Sequence, residues 1–260
     1  SDNHHAQPLT GGVSADVTRV GDKVRRSPSS AALTIHRFLE YLRAKGFDRV
    51  PRPRGFDKTG GELFDFIEGR AGHPPITPEI ASDEALIAAA QAIREFHDLS
   101  VGFTGTGWLT DGADPSGVAE VICHNDLAPF NLIYRSRSVA AIIDWDGAAP
   151  GRRAWDLAYA AWRLVPLHRP GYAGLVGWPD LDRARRLALF VDSYGLDEPG
   201  RAGFVELIRE RQIRTIEGMR RLADAGRITP LPPEDPRAEA GDLPYLSANA
   251  AEWDRAVRHA

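Results

Sequence analysis

Residues 119–123 and 139–143 are two short apolar runs, and each hands the chain to a polar segment. The first leads into His124-Asn125-Asp126-Leu127-Ala128-Pro129-Phe130-Asn131 and the second into Asp144-Trp145-Asp146. A short apolar run bounded by polar residues reads as a buried strand, and a buried strand can aim the carboxylate at its end into a cleft. Asp144 stands at such an end, so it is a candidate ligand for Mg2+, with Asn131 and nucleotide phosphates supplying further oxygens. Asp146 reads equally as a metal-facing or supporting carboxylate and as a turn former. Asp126 has the chemistry to orient and deprotonate an alcohol, and Asn131 carries an amide oxygen suited to a hard divalent ion. Taken alone, the first segment is also open to a structural reading in which Asp126 and Asn131 hydrogen-bond the loop backbone.

The rest of the chain bounds what can surround these segments. With 260 residues, 43% hydrophobic and 26% charged, it has the make-up of a globular protein, as one large domain or two unequal lobes. The single cysteine, Cys123, cannot form an intramolecular disulfide and reads as buried packing, which suits a cytoplasmic location. No apolar run reaches the roughly 18 residues of a membrane span. A net charge of -4 without a basic stripe disfavours a nucleic-acid partner. Only three of the 32 basic residues are lysines (Lys23, Lys45 and Lys58), so a phosphate-holding cation has few lysines to draw on.

Residues 16–26 read as two strands joined by a tight turn at Gly21-Asp22. Ser29 or Ser30 then caps a helix whose apolar face carries Leu33, Ile35, Phe38, Leu39 and Leu42, with Gly46 as its stop. A further strand is expected over 63–67. The segments 82–97, 180–194 and 201–225 show helical periodicity, the last through Phe204, Leu207, Ile208, Ile213, Ile216 and Met219, and Tyr245 and Trp253 predict that the C-terminal residues dock. The expected fold class is α+β, with a small mixed lobe over 1–69 and a larger, mostly helical lobe over 70–260.

The two polar segments, in this order and 13 residues apart from Asn131 to Asp144, resemble the aminoglycoside phosphotransferase family, also called the phosphotransferase enzyme family, within the protein-kinase-like fold. The likeness rests on HNDLAPFN followed by IIDWDGAAPGRRAWDLAYA and extends over about residues 9–225. It implies a bilobal kinase-like fold, ATP or GTP as co-substrate, Mg2+, and a hydroxyl-bearing small molecule as acceptor. It places hydroxyl activation on Asp126 and the metal on Asn131 and Asp144. His124 becomes an organiser of the loop, and Asp156 a carboxylate that braces it. Gly12 and Ser14 fall in a phosphate-facing turn, and Phe66, Ile67 and Glu68 in the hinge that meets the base.

Three positions depart from the family pattern. Arg25 occupies the place of the nucleotide-binding lysine, with Lys23, on the same side of a regular strand, as the alternative and Arg26, on the other side, as a weaker one. His36 stands where the helix acid that orients this cation is expected, with Glu40 one turn further on. Arg152 replaces an acid after Gly151. An aminoglycoside acceptor would call for an acid-lined cleft, for which Asp192, Asp197, Glu198, Glu206, Glu210 and Glu217 are available. The resulting expectation is a small-molecule kinase, the alternative being a kinase-like binding module with little or no transfer.

Overall fold

The computed structural model describes residues 7–8, 17–229, 235, 238 and 241–259, so the turn expected at Gly12 and Ser14 lies outside the described residues. The small lobe is an antiparallel sheet of β1 (Gln7–Pro8), β2 (Thr18–Val20), β3 (Lys23–Arg26), β4 (Pro53–Phe56) and β5 (Glu62–Asp65), in the order β1-β2-β3-β5-β4. The β2–β3 hairpin turns at Gly21, whose φ of 64° lies in the left-handed region that glycine enters without a side-chain clash.

Helix α1 (Ala32–Ala44) packs on β4 through Ile35, Phe38, Leu39 and Leu42, all at most 1% exposed. Leu33, expected on that face, is 70% exposed because it lies about 200° round the helix from Ile35. His36 takes a buried place instead. Neither Ser29 nor Ser30 caps the helix with its side chain; the Ser29 carbonyl accepts from the Ala32 N–H at 3.2 Å.

By residue 70 the chain has entered a second antiparallel sheet, ordered β6 (Arg70–Ala71), β8 (Leu132–Arg135), β9 (Ser138–Ile142), beside the pair β7 (Val121–Cys123) and β10 (Ala149–Gly151). Around these lie α2 (Pro78–Ala81), α3 (Asp83–Ser100), α4 (Arg153–Leu164), α5 (Pro170–Leu175), α6 (Arg183–Tyr194), α7 (Glu198–Arg201), α8 (Phe204–Asp224) and α9 (Asp242–Arg258). This is the bilobal α+β arrangement that the resemblance implies. Ser82 caps α3 by accepting the Ala85 N–H, and Leu246, Trp253 and Val257 dock α9 as expected. No helix among the described residues is long and apolar enough to cross a membrane.

Two helices differ from their sequence patterns in ways that matter for the site. In α4, ten of 12 residues are buried, Asp156 and Arg163 among them. In α8 the buried face includes Arg211 and Gln212, while Met219 is 41% exposed. The apolar core is continuous between the lobes through Trp145, whose ring meets Phe38 of α1 at 5.6 Å and Phe96 of α3 at 5.1 Å. The residue between Asp144 and Asp146 is thereby anchored in the core.

Candidate active site

Strand β7 ends at Cys123, and the following loop is fastened from beneath by Asp156, which α4 holds at 0% exposure. One oxygen of Asp156 accepts the Asn125 N–H at 2.7 Å; the other accepts the His124 N–H at 2.7 Å and faces His97 Nε2 at 3.0 Å. Burial opposes ionisation of Asp156, but His97 and the loop amides outweigh it and hold its pKa below the usual carboxylate range. Burial pushes the His97 pKa down, so the imidazole is neutral beside the carboxylate, with Nδ1 2.9 Å from the Tyr194 hydroxyl.

Two side chains staple this loop to the one after β9. His124 Nδ1 accepts the Asp126 N–H at 3.2 Å, which leaves the proton on Nε2 to donate to the Ile143 carbonyl at 2.9 Å. Asn125, with φ 67°, turns so that its amide donates to the Gly147 carbonyl at 2.9 Å. Asp144, with φ 60°, is a second left-handed residue, and the chain turns there from β9 into the one-turn 3-10 segment Trp145–Gly147. Positive φ in two non-glycine residues of facing loops is backbone strain located at the candidate site.

Above this floor, Asp126 Oδ1 accepts from the Tyr159 hydroxyl at 2.7 Å and Oδ2 from Asn131 Nδ2 at 2.8 Å. Asn131 Nδ2 also donates to the Asp126 carbonyl at 2.9 Å, which uses both of its hydrogens and leaves the amide oxygen as the group for a cation. Asp144 is 42% exposed along its side chain, yet recessed among protein atoms. That recess, with Asp146 and Asp126 nearby, raises its pKa against the opposing pull of Arg26. Among the described residues no three His, Cys, Asp or Glu side chains form a metal cluster. Asp144 and Asp146 both meet Arg26, and Asn131 lies on the loop stapled to theirs; all three offer oxygens, the donors that a hard divalent cation takes.

The cation that reaches these carboxylates is thus Arg26. Its Nη1 is 3.3 Å from Asp144 Oδ1 and its Nη2 2.6 Å from Asp146 Oδ1, while Nε donates to Glu62 at 2.7 Å. Arg25 and Lys23 are not brought there: Arg25 pairs with Asp57 at 2.5 Å and bonds Thr59, and Lys23 faces Asp22 at 3.3 Å. The alternation of side chains along β3 separates them, since Val24 and Arg26 share the face opposite Lys23 and Arg25. Glu40 is exposed. In the hinge, Phe66 and Ile67 are half-buried, the Phe66 N–H is already given to Asp22, and the carbonyl of exposed Glu68 accepts from Arg135.

Four of the six acids offered for a cationic acceptor are engaged locally: Asp192 with Arg201, Glu206 with Arg209, Glu210 with Arg214, and Asp197 as the cap of α7. Arg152 pairs with enclosed Asp114, whose pKa is held down to about 2 because its bonds to Arg152 and Ser116 outweigh burial. Sequence reading passed over Tyr159 and Arg211. Tyr159 lies three residues after Asp156 on α4, and Arg211 Nη2 donates to the Asn125 carbonyl at 2.8 Å. The signal for Arg211 was a charge within the apolar face of α8.

The sequence matches the Phosphotransferase enzyme family over residues 5–115 and 107–189. It is 34% identical over 207 residues, 76% of this chain and 77% of the relative, to a protein named Trifolitoxin immunity protein from Rhizobium leguminosarum bv. trifolii. Its fold is similar to that of a choline/ethanolamine kinase family protein from Mesorhizobium loti, with TM-score 0.63 and 16% identity, covering 99% of this chain and 94% of that one. It is similar also to amicoumacin kinase solved with AMP-PNP, Ca2+ and Ami, with TM-score 0.64 and 14% identity over 99% and 89% of the two chains. With the stapled loops and the two-lobed, protein-kinase-like fold already in place, these matches show that the chain belongs to the phosphotransferase enzyme family.

Proposed function

We propose that the protein is a cytoplasmic small-molecule kinase that transfers the terminal phosphoryl group of ATP or GTP to a substrate hydroxyl. The observation that carries this reading is the state of Asp126: its carboxylate is fixed by Tyr159 and Asn131, on a loop that His124 and Asn125 join to the Asp144 segment. In phosphoryl transfer most of the catalytic work is alignment and charge neutralisation. Asp126 aligns the acceptor hydroxyl and takes its proton as the new O–P bond forms and the bond to the leaving diphosphate breaks. Asn131 and Asp144, with Asp146 beside them, hold Mg2+, which when bound supplies positive charge to the phosphates. Arg26, on the carboxylate side of β3, is the phosphate-facing cation, and the hinge at Phe66, Ile67 and Glu68 receives the base.

The relatives named for trifolitoxin immunity and for amicoumacin support a protective role, in which the acceptor is a toxic compound bearing a hydroxyl. A second reading, a binding module that protects by sequestration, is favoured by one observation: the place of the helix acid is taken by His36. Turnover across a panel of hydroxyl-bearing antibiotics, compared between the parent and Asp126→Ala, separates the two. Transfer falling by about 10²–10⁴-fold in Asp126→Ala, with Mg-nucleotide binding retained, supports the kinase. Nucleotide binding without acceptor-dependent transfer by the parent points to sequestration.

A further inference from the structure

Glu62 is fully enclosed, at 0% exposure, and in the β3–β5 ladder it is the direct cross-strand partner of Arg26. Its Oε2 accepts from Arg26 Nε at 2.7 Å, while its Oε1 lies 3.2 Å from His36 Nε2 without forming a hydrogen bond to it. The His36 ring is held by stacking on Phe56 at 5.0 Å and by an edge contact with Phe64 at 5.1 Å. Phe64 also lies under the Arg26 guanidinium at 5.4 Å. The guanidinium is thereby fixed in both position and plane, with Nε committed to Glu62 and both Nη groups directed at Asp144 and Asp146.

An ammonium can also serve several acceptors, but from one compact centre, whereas a guanidinium spans them with a rigid planar fork. The use of Arg at this place, in a chain with only three lysines, fits a cation that must be anchored on one side and extended on the other. A carboxylate directly across a strand pair has its Cβ within about 5.5 Å of its partner, so the two separate only if the ladder itself opens.

We propose that Glu62 is the positioning residue for Arg26, so that the register of β3 against β5, and not the placement of α1, sets the cation. This rests on the reading of Arg26 as the phosphate-facing cation. The site is then assembled whenever the sheet is formed, with the carboxylate on β5 in place of the one that a kinase-like lobe would carry on that helix.

The test compares binding of a non-hydrolysable ATP analogue with Mg2+ against binding of adenosine to the full chain by calorimetry. Glu62→Gln, which keeps the buried volume, is expected to weaken the triphosphate by about tenfold while adenosine binds as before. A purely structural role would move both ligands together. Equal losses for both ligands, or no loss in Glu62→Gln, overturns the proposal.

Arg26→Ala separates it from the reading beneath it. If that variant keeps the preference for triphosphate, the phosphate-facing reading fails and the positioning role with it. If Arg26→Ala abolishes the preference and Glu62→Gln does not, the positioning role alone fails. Should Glu62→Gln not fold, Glu62→Asp, which keeps the charge and shortens its reach to Arg26, takes its place: the preference for triphosphate is expected to fall, and its full retention overturns the proposal.

Discussion

Asp156 and Asp144 lie 12 residues apart in the chain and serve the same pair of loops, yet their surroundings are opposites. Asp156 is sealed, and three donors, the amides of His124 and Asn125 and the ring of His97, answer its charge. Asp144 is 42% exposed, lies near Asp146 and Asp126, and has Arg26 as its ion-pair partner at 3.3 Å. The pKa of the first is held below its ordinary value, and that of the second is pushed above it. A carboxylate whose charge is fully met within the chain supports structure. One held among like charges at a cleft floor stores unfavourable energy that a cation relieves.

The hardest test of this contrast is removal of the sealed group. Asp156→Ala leaves two loop amides without their acceptor inside the core and is expected to cost about 3–5 kcal/mol in urea unfolding. A cost no larger than that of a surface substitution would break the contrast. Asp144→Asn is expected to change stability by no more than about 1 kcal/mol, because it removes repulsion along with one solvent-screened ion pair. The same variant should lose the stabilisation that saturating Mg-nucleotide gives the parent, about 2.7 kcal/mol at a hundred times Kd. Retention of that stabilisation would show that the metal is held elsewhere.

A smaller effect is expected at His97, where the ring links Asp156 to Tyr194. His97→Gln should cost about 1 kcal/mol, since one hydrogen bond to a carboxylate is rearranged rather than removed. Little change in the denaturation midpoint would mean that the two loop amides hold Asp156 without help.

The smallest effect is the dependence on pH, where the two regions have opposite signs. His97 and Asp156 both have depressed folded pKa values, so their contribution is complete at neutral pH. It is lost on acidification, beginning below about 6.5 for the histidine and below about 4 for the carboxylate. Asp144 has a raised folded pKa, so its contribution is greatest below about pH 4 and is lost as pH rises through the folded value. Unfolding free energies measured across this range should fall on acidification, and more steeply in Asp144→Asn, where the opposing contribution is gone. A shallower fall in the variant would reverse the assignment of signs.

The parts of the molecule that were legible in the chain are those with a local cause. The β2–β3 hairpin announced itself through Gly21-Asp22, and α3 through Ser82 and its apolar stripe. Asp126, Asn131 and Asp144 stood out because apolar strands lead into polar segments, and the structure gathers them around two stapled loops. Helix α4 has ten of its 12 residues buried, so its burial does not single out the side chain that reaches the site. Tyr159 was hidden there, since its hydroxyl finds Asp126 from a helix that begins 27 residues after that carboxylate. Arg211 was masked by its apolar neighbours on α8.

The small lobe shows the division most sharply. Alternation along the chain determined that Lys23 and Arg25 share one face of β3 with Arg26 on the other, and resemblance alone suggested that one of these cations serves a nucleotide. Which face meets the cleft is a property of how the sheet packs against α1 and the Asp144 segment, and only the tertiary structure decided for Arg26. The same holds for Glu62, which reads in the chain as one acid before an apolar strand and becomes an enclosed partner through pairing with a residue 36 positions away. Residue types and their local order set what chemistry is available, because those follow from covalent neighbours. Which charges meet, and which of them are left unanswered, depends on register and packing between segments distant in the chain.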